Sequence, residues 1–156
     1  MVAMTLALLL AVGGVFALPF NVGGAWTQPK ARGEQVIRTA IASDPASVCS
    51  GGVDADSLAH LEDLPGGSAL FAARTRSDGV CALITDANGW GSISGGSPVT
   101  GSSLLSGTDG KDRYIVLRVG LADAESSGFR YDYRIIDDPA EVEQWMHDGP
   151  SGSEHV

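Results

Sequence analysis

The first 29 residues of this 156-residue chain contain no charged side chain, and no run of basic residues occurs anywhere in the sequence. All 10 Lys and Arg and all 19 Asp and Glu lie after Pro29, so that this part carries the whole net charge of −9. A protein that binds nucleic acid neutralises phosphates with a basic face. The composition therefore predicts that the protein has no nucleic-acid partner.

Motifs of local catalytic and metal sites are also missing. The sequence has no HExxH, no Walker A and no CxxC, and its nearest match to G-x-S-x-G, residues 91–95, has Ile93 in place of the nucleophile. The segment beginning with Asp86 and Asn88 starts like a calcium loop but lacks its later ligands. We therefore predict no catalytic residue, no metal and no cofactor, and we favour a non-enzymatic protein.

The uncharged N-terminus is a targeting or anchoring segment. The apolar stretch within residues 1–20 is longer than the core of a typical signal peptide and close to the shortest membrane span. We predict that residues 1–25 are a signal peptide, cleaved after Ala25, or a membrane anchor that holds the protein through residues 1–20. The domain is then extracellular, or anchored and facing outside. The basic residues that follow the segment favour the alternative, an anchored domain that faces the cytoplasm.

Cys49 and Cys81 are the only two cysteines of the chain. An even number of cysteines behind an export segment is typical of a disulfide rather than a metal or redox site. A bridge between them would close a loop of about 33 residues, which contributes roughly 3.7 kcal/mol in the chain-entropy model. We therefore predict a Cys49–Cys81 disulfide, with two unpaired buried thiols as the alternative.

The hydrophobic periodicity predicts an α+β fold built on one small antiparallel sheet. The three-residue segment Ser77–Gly79 joins two short apolar runs, as in a hairpin. Residues 129–135 alternate, which predicts that Arg130, Asp132 and Arg134 lie on the solvated face. The predicted sheet has about four strands, from the hairpin 69–85 and the pair 113–136. The predicted helices are an N-terminal hydrophobic helix and segments 31–42, 55–64 and 139–146.

These elements divide the chain into four parts. Residues 1–25 are the signal peptide or anchor, and residues 26–46 are a juxtamembrane helix and linker. Residues 47–146 form a single α+β domain that contains a long Gly- and Ser-rich loop at 86–112. Residues 147–156 are polar and are predicted to be a disordered tail.

The loop 86–112 is the candidate binding region of the domain. A compact domain seldom keeps so long a segment without regular structure unless it is functional or disordered. Within it, residues 90–94 have the composition of a short edge strand. Trp90 lies among glycines, where an exposed indole could anchor a partner. We therefore name Asp86, Asn88 and Trp90 as the candidate binding loop.

The sequence thus favours a small, acidic, non-catalytic domain that is exported or tethered to the membrane. Its expected partner is a protein, a peptide or a component of the cell envelope, bound through the glycine-rich loop or through a sheet face. One alternative is a small secreted hydrolase whose site joins distant residues, for example His60 with a serine and a carboxylate. Another is an accessory subunit of a membrane complex that is held through residues 1–20.

Overall fold

The computed structural model describes residues 28–86, 89–106, 111–122 and 128–148. The described helices are α1 (Pro29–Ser43), the short α2 (Pro45–Val48), a single 3-10 turn (Ala55–Ser57) and α3 (Pro139–Asp148). The described strands are β1 (Ala59–Leu64), β2 (Ser68–Arg74), β3 (Val80–Thr85), β4 (Trp90–Gly95), β5 (Val99–Ser106), β6 (Asp112–Leu121) and β7 (Phe129–Ile136). The predicted α+β class is confirmed, with more strand than helix.

The strands form two antiparallel sheets that pack face to face. The first sheet has the order β1-β2-β3-β4 and the second has the order β5-β6-β7. The main core lies between them, because alternate apolar residues of both sheets point inward. Its buried members are Leu64, Leu70, Ala72, Val80, Ala82, Ile84, Val99, Ile115, Leu117, Val119 and Phe129.

Helix α1 covers the outer face of the first sheet. Gly33, Ile37 and Ile41 are its buried residues, spaced by four so that they line one side of the helix. Arg32 adds a polar tie, since its Nη2 donates to the Gly67 carbonyl oxygen at 2.7 Å. The segment predicted as a juxtamembrane helix and linker thus contributes side chains to the core on this side of the sheet.

The predicted disulfide is present between Cys49 and Cys81, whose Cα atoms are 6.1 Å apart. Cys49 directly follows α2, and Cys81 lies on β3 within the outer face of the first sheet. The bridge therefore joins the helical cover to the sheet beneath it. A disulfide is compatible with export or with an oxidising compartment.

The hairpin predicted at 69–85 and the pair predicted at 113–136 are confirmed as β2–β3 and β6–β7. The helices predicted at 31–42 and 139–146 are confirmed as α1 and α3. Asp138 caps the start of α3, because its Oδ1 accepts from the Ala140 N–H at 2.9 Å. These segments were predictable because their turns, caps and periods all agree.

The helix predicted at 55–64 is wrong. Only Ala55–Ser57 is helical, and Ala59–Leu64 forms the edge strand β1. A β-bulge between His60 and Glu62 inserts one extra residue into this strand. The bulge brings Leu61 and Leu64 to the main core although they are three residues apart, a spacing that imitates a helix.

The predicted loop 86–112 and the single sheet of about four strands are also wrong. Trp90–Gly95 and Val99–Ser106 are strands, so the edge strand suggested by residues 90–94 is present and a second one follows it. Small residues allow these strands to approach closely: a Cβ on Gly101 would overlap the Ile93 side chain, with Cδ1 as its nearest atom. Because glycine and serine have low β-propensity, the composition alone predicted a loop.

The N-terminal hydrophobic helix, the predicted signal peptide or anchor at 1–25 and residues 149–156 of the predicted tail lie outside the described residues. The first two residues of that tail, His147 and Asp148, are not disordered, because they form the end of α3. Within the described part of the chain, no helix has the length and apolar character needed to cross a membrane.

Candidate functional site

A polar pocket of about 200 Å³ opens on the outer face of the second sheet. Helix α3 covers only one end of this face, where Val142 and Trp145 pack on Val116 and Ile136. The other end is open and forms the pocket. Its lining residues are Ser97, Pro98, Arg118, Gly120, Arg130, Tyr131 and Asp132.

The centre of the pocket is a row of polar residues across the three strands. Thr100 on β5 pairs with Arg118 on β6, which in turn pairs with Asp132 on β7. Directly opposite residues on neighbouring strands have Cβ atoms about 5 Å apart, so Arg118 and Asp132 are within reach of an ion pair. The strand pairing fixes this row, and the row does not depend on a loop.

The Arg118 side chain nevertheless contacts Thr100 and Trp145 and forms no ion pair with Asp132. Its Nε–H donates to the Thr100 Oγ1 at 3.3 Å, and its guanidinium carbon lies 5.8 Å from the centroid of the Trp145 ring. Both contacts orient the half-buried side chain toward β5 and α3. A guanidinium at cation–π distance from an indole keeps further N–H donors for another acceptor.

Asp132 is only 8% exposed. Within the described ranges, no hydrogen bond and no ion pair reaches its carboxylate. No fully buried side-chain oxygen or nitrogen among the described residues lacks a hydrogen-bond partner. The oxygens of Asp132 therefore keep a small contact with the pocket. This enclosure removes part of the hydration of the carboxylate without supplying a protein partner, so its oxygens are available to a donor that enters the pocket.

Gly120 forms the wall beside this row. A Cβ at this position would lie 3.5 Å from the Ser97 Oγ and 3.6 Å from the Pro98 Cβ, which is ordinary van der Waals contact. The Ser97 Oγ accepts from the Leu121 N–H at 3.1 Å, which fixes this side of the pocket. The absence of a side chain at residue 120 therefore leaves space in the pocket rather than relieving a backbone clash.

The pocket can bind a ligand that carries charges of both signs. Arg118 and the exposed Arg130 offer guanidinium donors, which suit a carboxylate or a phosphate. Asp132 offers an acceptor that suits an ammonium or another strong donor. Among the described residues that line this pocket, the Ser97 hydroxyl accepts from a backbone N–H and forms no hydrogen bond with a side-chain base.

The candidate binding loop predicted from the sequence lies elsewhere, at the turn between β3 and β4. Asp86 and Gly89 close this turn: the Asp86 N–H donates to the Gly89 carbonyl oxygen at 2.9 Å, and the Gly89 N–H donates to the Asp86 Oδ1 at 2.8 Å. Trp90 is half-buried and packs against the apolar cluster around the disulfide. Asn88 lies outside the described residues. Asp86 and Trp90 line a second pocket of about 270 Å³, so the binding role of this loop stays a prediction.

The hydrolase alternative required His60 beside a serine and a carboxylate. The His60 Nε2 lies 2.9 Å from the Asp63 Oδ1, and its ring makes an edge-to-face contact with Phe71 at 5.3 Å between centroids. Among the described residues, no serine hydroxyl forms a hydrogen bond with this ring. The same part of the chain holds no group of three or more His, Cys, Asp or Glu that could bind a metal ion.

Sequence reasoning missed the pocket because it placed Asp132 on a solvated face. The alternation of β7 is correct, but the outer face is partly enclosed by α3 and by the 97–98 turn. No local pattern reports such an enclosure, since Ser97, Arg118 and Asp132 come from three separate segments. The only available signal was one carboxylate between two arginines on the same strand face, which is also common on solvated strands.

No protein-family model matches this chain, and searches of the curated proteins and of the solved structures find no significant match.

Proposed function

We propose that the protein is a small, non-catalytic binding domain that is exported or tethered to the membrane and is stapled by its disulfide. It binds a charged group of a protein, a peptide or an envelope component in the pocket of Arg118 and Asp132. The single observation that carries this proposal is the carboxylate of Asp132, which is enclosed in the pocket and has no protein partner although it lies opposite an arginine.

The cost of this arrangement supports a binding role. A carboxylate that loses part of its hydration without gaining a partner is less favourable in the free protein, and a nearby cation would offset this loss. Arg118 is close enough to do so but is held by Thr100 and Trp145. Groups that are fixed in a geometry unfavourable to the free protein are typical of preorganised sites, in which the ligand completes the interactions.

Binding in this pocket is tested by two-dimensional NMR of the ¹⁵N-labelled, oxidised full-length protein. Acetate, methylammonium, phosphate and glycine serve as charged probes. At least one probe should shift the amide signals of Arg118, Gly120 and Asp132 in a saturable manner. If none of them shifts these signals at tens of millimolar, the binding role of the pocket is wrong.

Two matched glycine variants separate this pocket from the candidate binding loop. An added Cβ at Gly120 has only ordinary van der Waals contacts and enters the pocket, and one at Gly91 on β4 does the same in the second pocket, so Gly120→Val and Gly91→Val fill matched positions. Gly120→Val should abolish the probe-induced shifts, whereas Gly91→Val should leave them unchanged. The reverse result would move the binding site to the loop around Trp90.

A second variant tests the cost of Asp132. Asp132→Asn removes the charge and keeps the shape of the side chain, so it should raise the free energy of unfolding by roughly 1 kcal/mol while weakening binding. Arg134→Gln on the same strand serves as the control, because this exposed residue does not line the pocket. Destabilisation by Asp132→Asn would show that the carboxylate has a structural partner and would contradict the proposal.

A further inference from the structure

We infer that the ligand of this pocket is an amino-acid zwitterion, meaning a molecule or molecular end that carries an ammonium and a carboxylate on the same carbon. This inference rests on the proposed function, and it adds the chemical class of the ligand. The ammonium binds Asp132 and the carboxylate binds Arg118.

The charges of Arg118 and Asp132 are separated in the pocket. Arg118 and Asp132 are direct neighbours across β6 and β7, yet they form no ion pair in the structure. The guanidinium is turned toward Thr100 and Trp145, which leaves a gap between the two charged groups. A ligand with a single charge would satisfy one of them and leave the other unpaired. A ligand with both charges a few ångströms apart satisfies both.

The pocket is small. About 200 Å³ is smaller than the pockets of roughly 300 Å³ or more that hold most drug-sized ligands. This volume suits a group of a few heavy atoms, such as the backbone part of one amino acid. The space left by Gly120, next to the Ser97 hydroxyl, leaves room for these atoms beside the charged row.

The charges of the pocket differ from those of the rest of the protein. Two arginines face one aspartate, so Arg130 at the rim is left to attract the ligand carboxylate or to bind its second oxygen. The rest of the protein is acidic, with a net charge of −9. Simple anions are therefore repelled by most of the surface, whereas a neutral zwitterion approaches freely.

The test compares three small probes that share the alanine skeleton and differ in charge, by NMR titration of the oxidised full-length protein. L-Alanine carries both charges, N-acetyl-L-alanine carries only the carboxylate, and L-alaninamide carries only the ammonium. L-Alanine should bind at least tenfold more tightly than either of the others. Binding of either singly charged probe within about threefold of L-alanine would overturn this inference while leaving the proposed binding role intact. If none of the three binds, this inference is wrong, and the titrations with phosphate, acetate and methylammonium then decide the proposed binding role.

Two variants assign the charges to their partners. Asp132→Asn should remove the preference for L-alanine over N-acetyl-L-alanine, and Arg118→Gln should remove the preference over L-alaninamide. Arg134→Gln should preserve both ratios. A ratio of affinities is informative even when a variant is less stable. Equal loss of all three probes in both variants would indicate general damage to the pocket and would contradict the assignment.

A fourth probe, γ-glutamyl ethylamide, distinguishes the sources of the zwitterion. It presents the same two groups at the end of a longer chain. Binding comparable to that of L-alanine would indicate that the pocket takes the zwitterionic end of a larger molecule. Binding of L-alanine alone would indicate a free amino acid.

Discussion

The two sheets share one core but differ in how their outer faces are covered. Every residue of β3 is buried, because the second sheet packs on one side of it and the helices α1 and α2 on the other. The outer face of the second sheet is covered by α3 at one end only, and the open end carries charged side chains. The first sheet is therefore the scaffold of the domain, and the second sheet presents the site.

The largest loss of stability should follow from removing the largest buried side chain of the scaffold. Phe71 is 1% exposed and lies between α1 and the sheet, next to Gly33 and the His60 ring. Phe71→Ala should lower the free energy of unfolding by about 3–5 kcal/mol, because it removes buried area and leaves a cavity. Urea denaturation measures this change. A loss below about 1.5 kcal/mol would show that the helical cover collapses easily and is not a rigid scaffold.

The disulfide belongs to the same side of the molecule and should have the next largest effect. The double variant Cys49→Ser, Cys81→Ser should lose about 3.7 kcal/mol in the chain-entropy model, with 2–4 kcal/mol typical of measured bridges. Reduction of the parent protein should lower its free energy of unfolding by a similar amount. Amide hydrogen exchange should then accelerate in α1 and α2 before it accelerates in β6 and β7. Uniform acceleration across both sheets would contradict the separation between scaffold and site.

The confirmed parts of this fold are those whose sequence signals are local. The turn between β2 and β3 contains Asp78 with a φ of 60°, a conformation that Asp tolerates, and the residue after it is glycine. The alternation in β7 and the Asp138 cap of α3 are local in the same way. The two cysteines follow a compositional rule, so their bridge was also predictable.

The missed parts depend on contacts between distant segments. Leu61 and Leu64 have helical spacing only because a bulge in β1 shifts the register against β2. The strands β4 and β5 contain so much glycine and serine that only their neighbours stabilise them as strands. The pocket likewise exists because β5, β6 and β7 bring Ser97, Arg118 and Asp132 together. The sequence could predict the class of the fold and the β2–β3 and β6–β7 pairs, but not the division into two sheets or the site.

A matched pair of valines compares the two outer faces directly. Val48 in α2 is completely buried against the first sheet, and Val142 in α3 is 9% exposed on the second. Each Val→Ala change removes two methyl groups, about 1.6 kcal/mol of apolar burial when the side chain is fully buried. We expect the full loss for Val48→Ala and less for Val142→Ala, which packs in a small cluster where α3 covers only one end of its sheet. Equal losses in thermal unfolding would mean that the two covers are equally well packed.

The smallest loss of stability is expected at the open side of the core, where the edge strands β1 and β7 face each other. The Tyr131 hydroxyl donates to the Glu62 Oε2 at 2.9 Å and lies 3.0 Å from the Leu61 carbonyl oxygen. Burial, followed by the hydrogen bond to Glu62 and its charge, raises the pKa of Tyr131 from 10.0 to about 12. Tyr131→Phe should lower the free energy of unfolding near pH 8 by roughly 1 kcal/mol, since it removes this tie between the sheets.

The contribution of Tyr131 to the free energy of unfolding should decrease at high pH. The folded protein binds the phenolic proton more tightly than the unfolded chain does, so this contribution to stability is complete below pH 10 and is lost as the pH rises through about 12. The difference in stability between the parent and Tyr131→Phe should therefore shrink between pH 10 and 12 in urea titrations. Tyr133→Phe is the control, because burial and the charge of Glu62 raise the pKa of Tyr133 without a hydrogen bond to Glu62. Tyr133→Phe should cost less than Tyr131→Phe near pH 8. If the two variants were equally stable there, the tie between β7 and β1 would contribute nothing beyond burial.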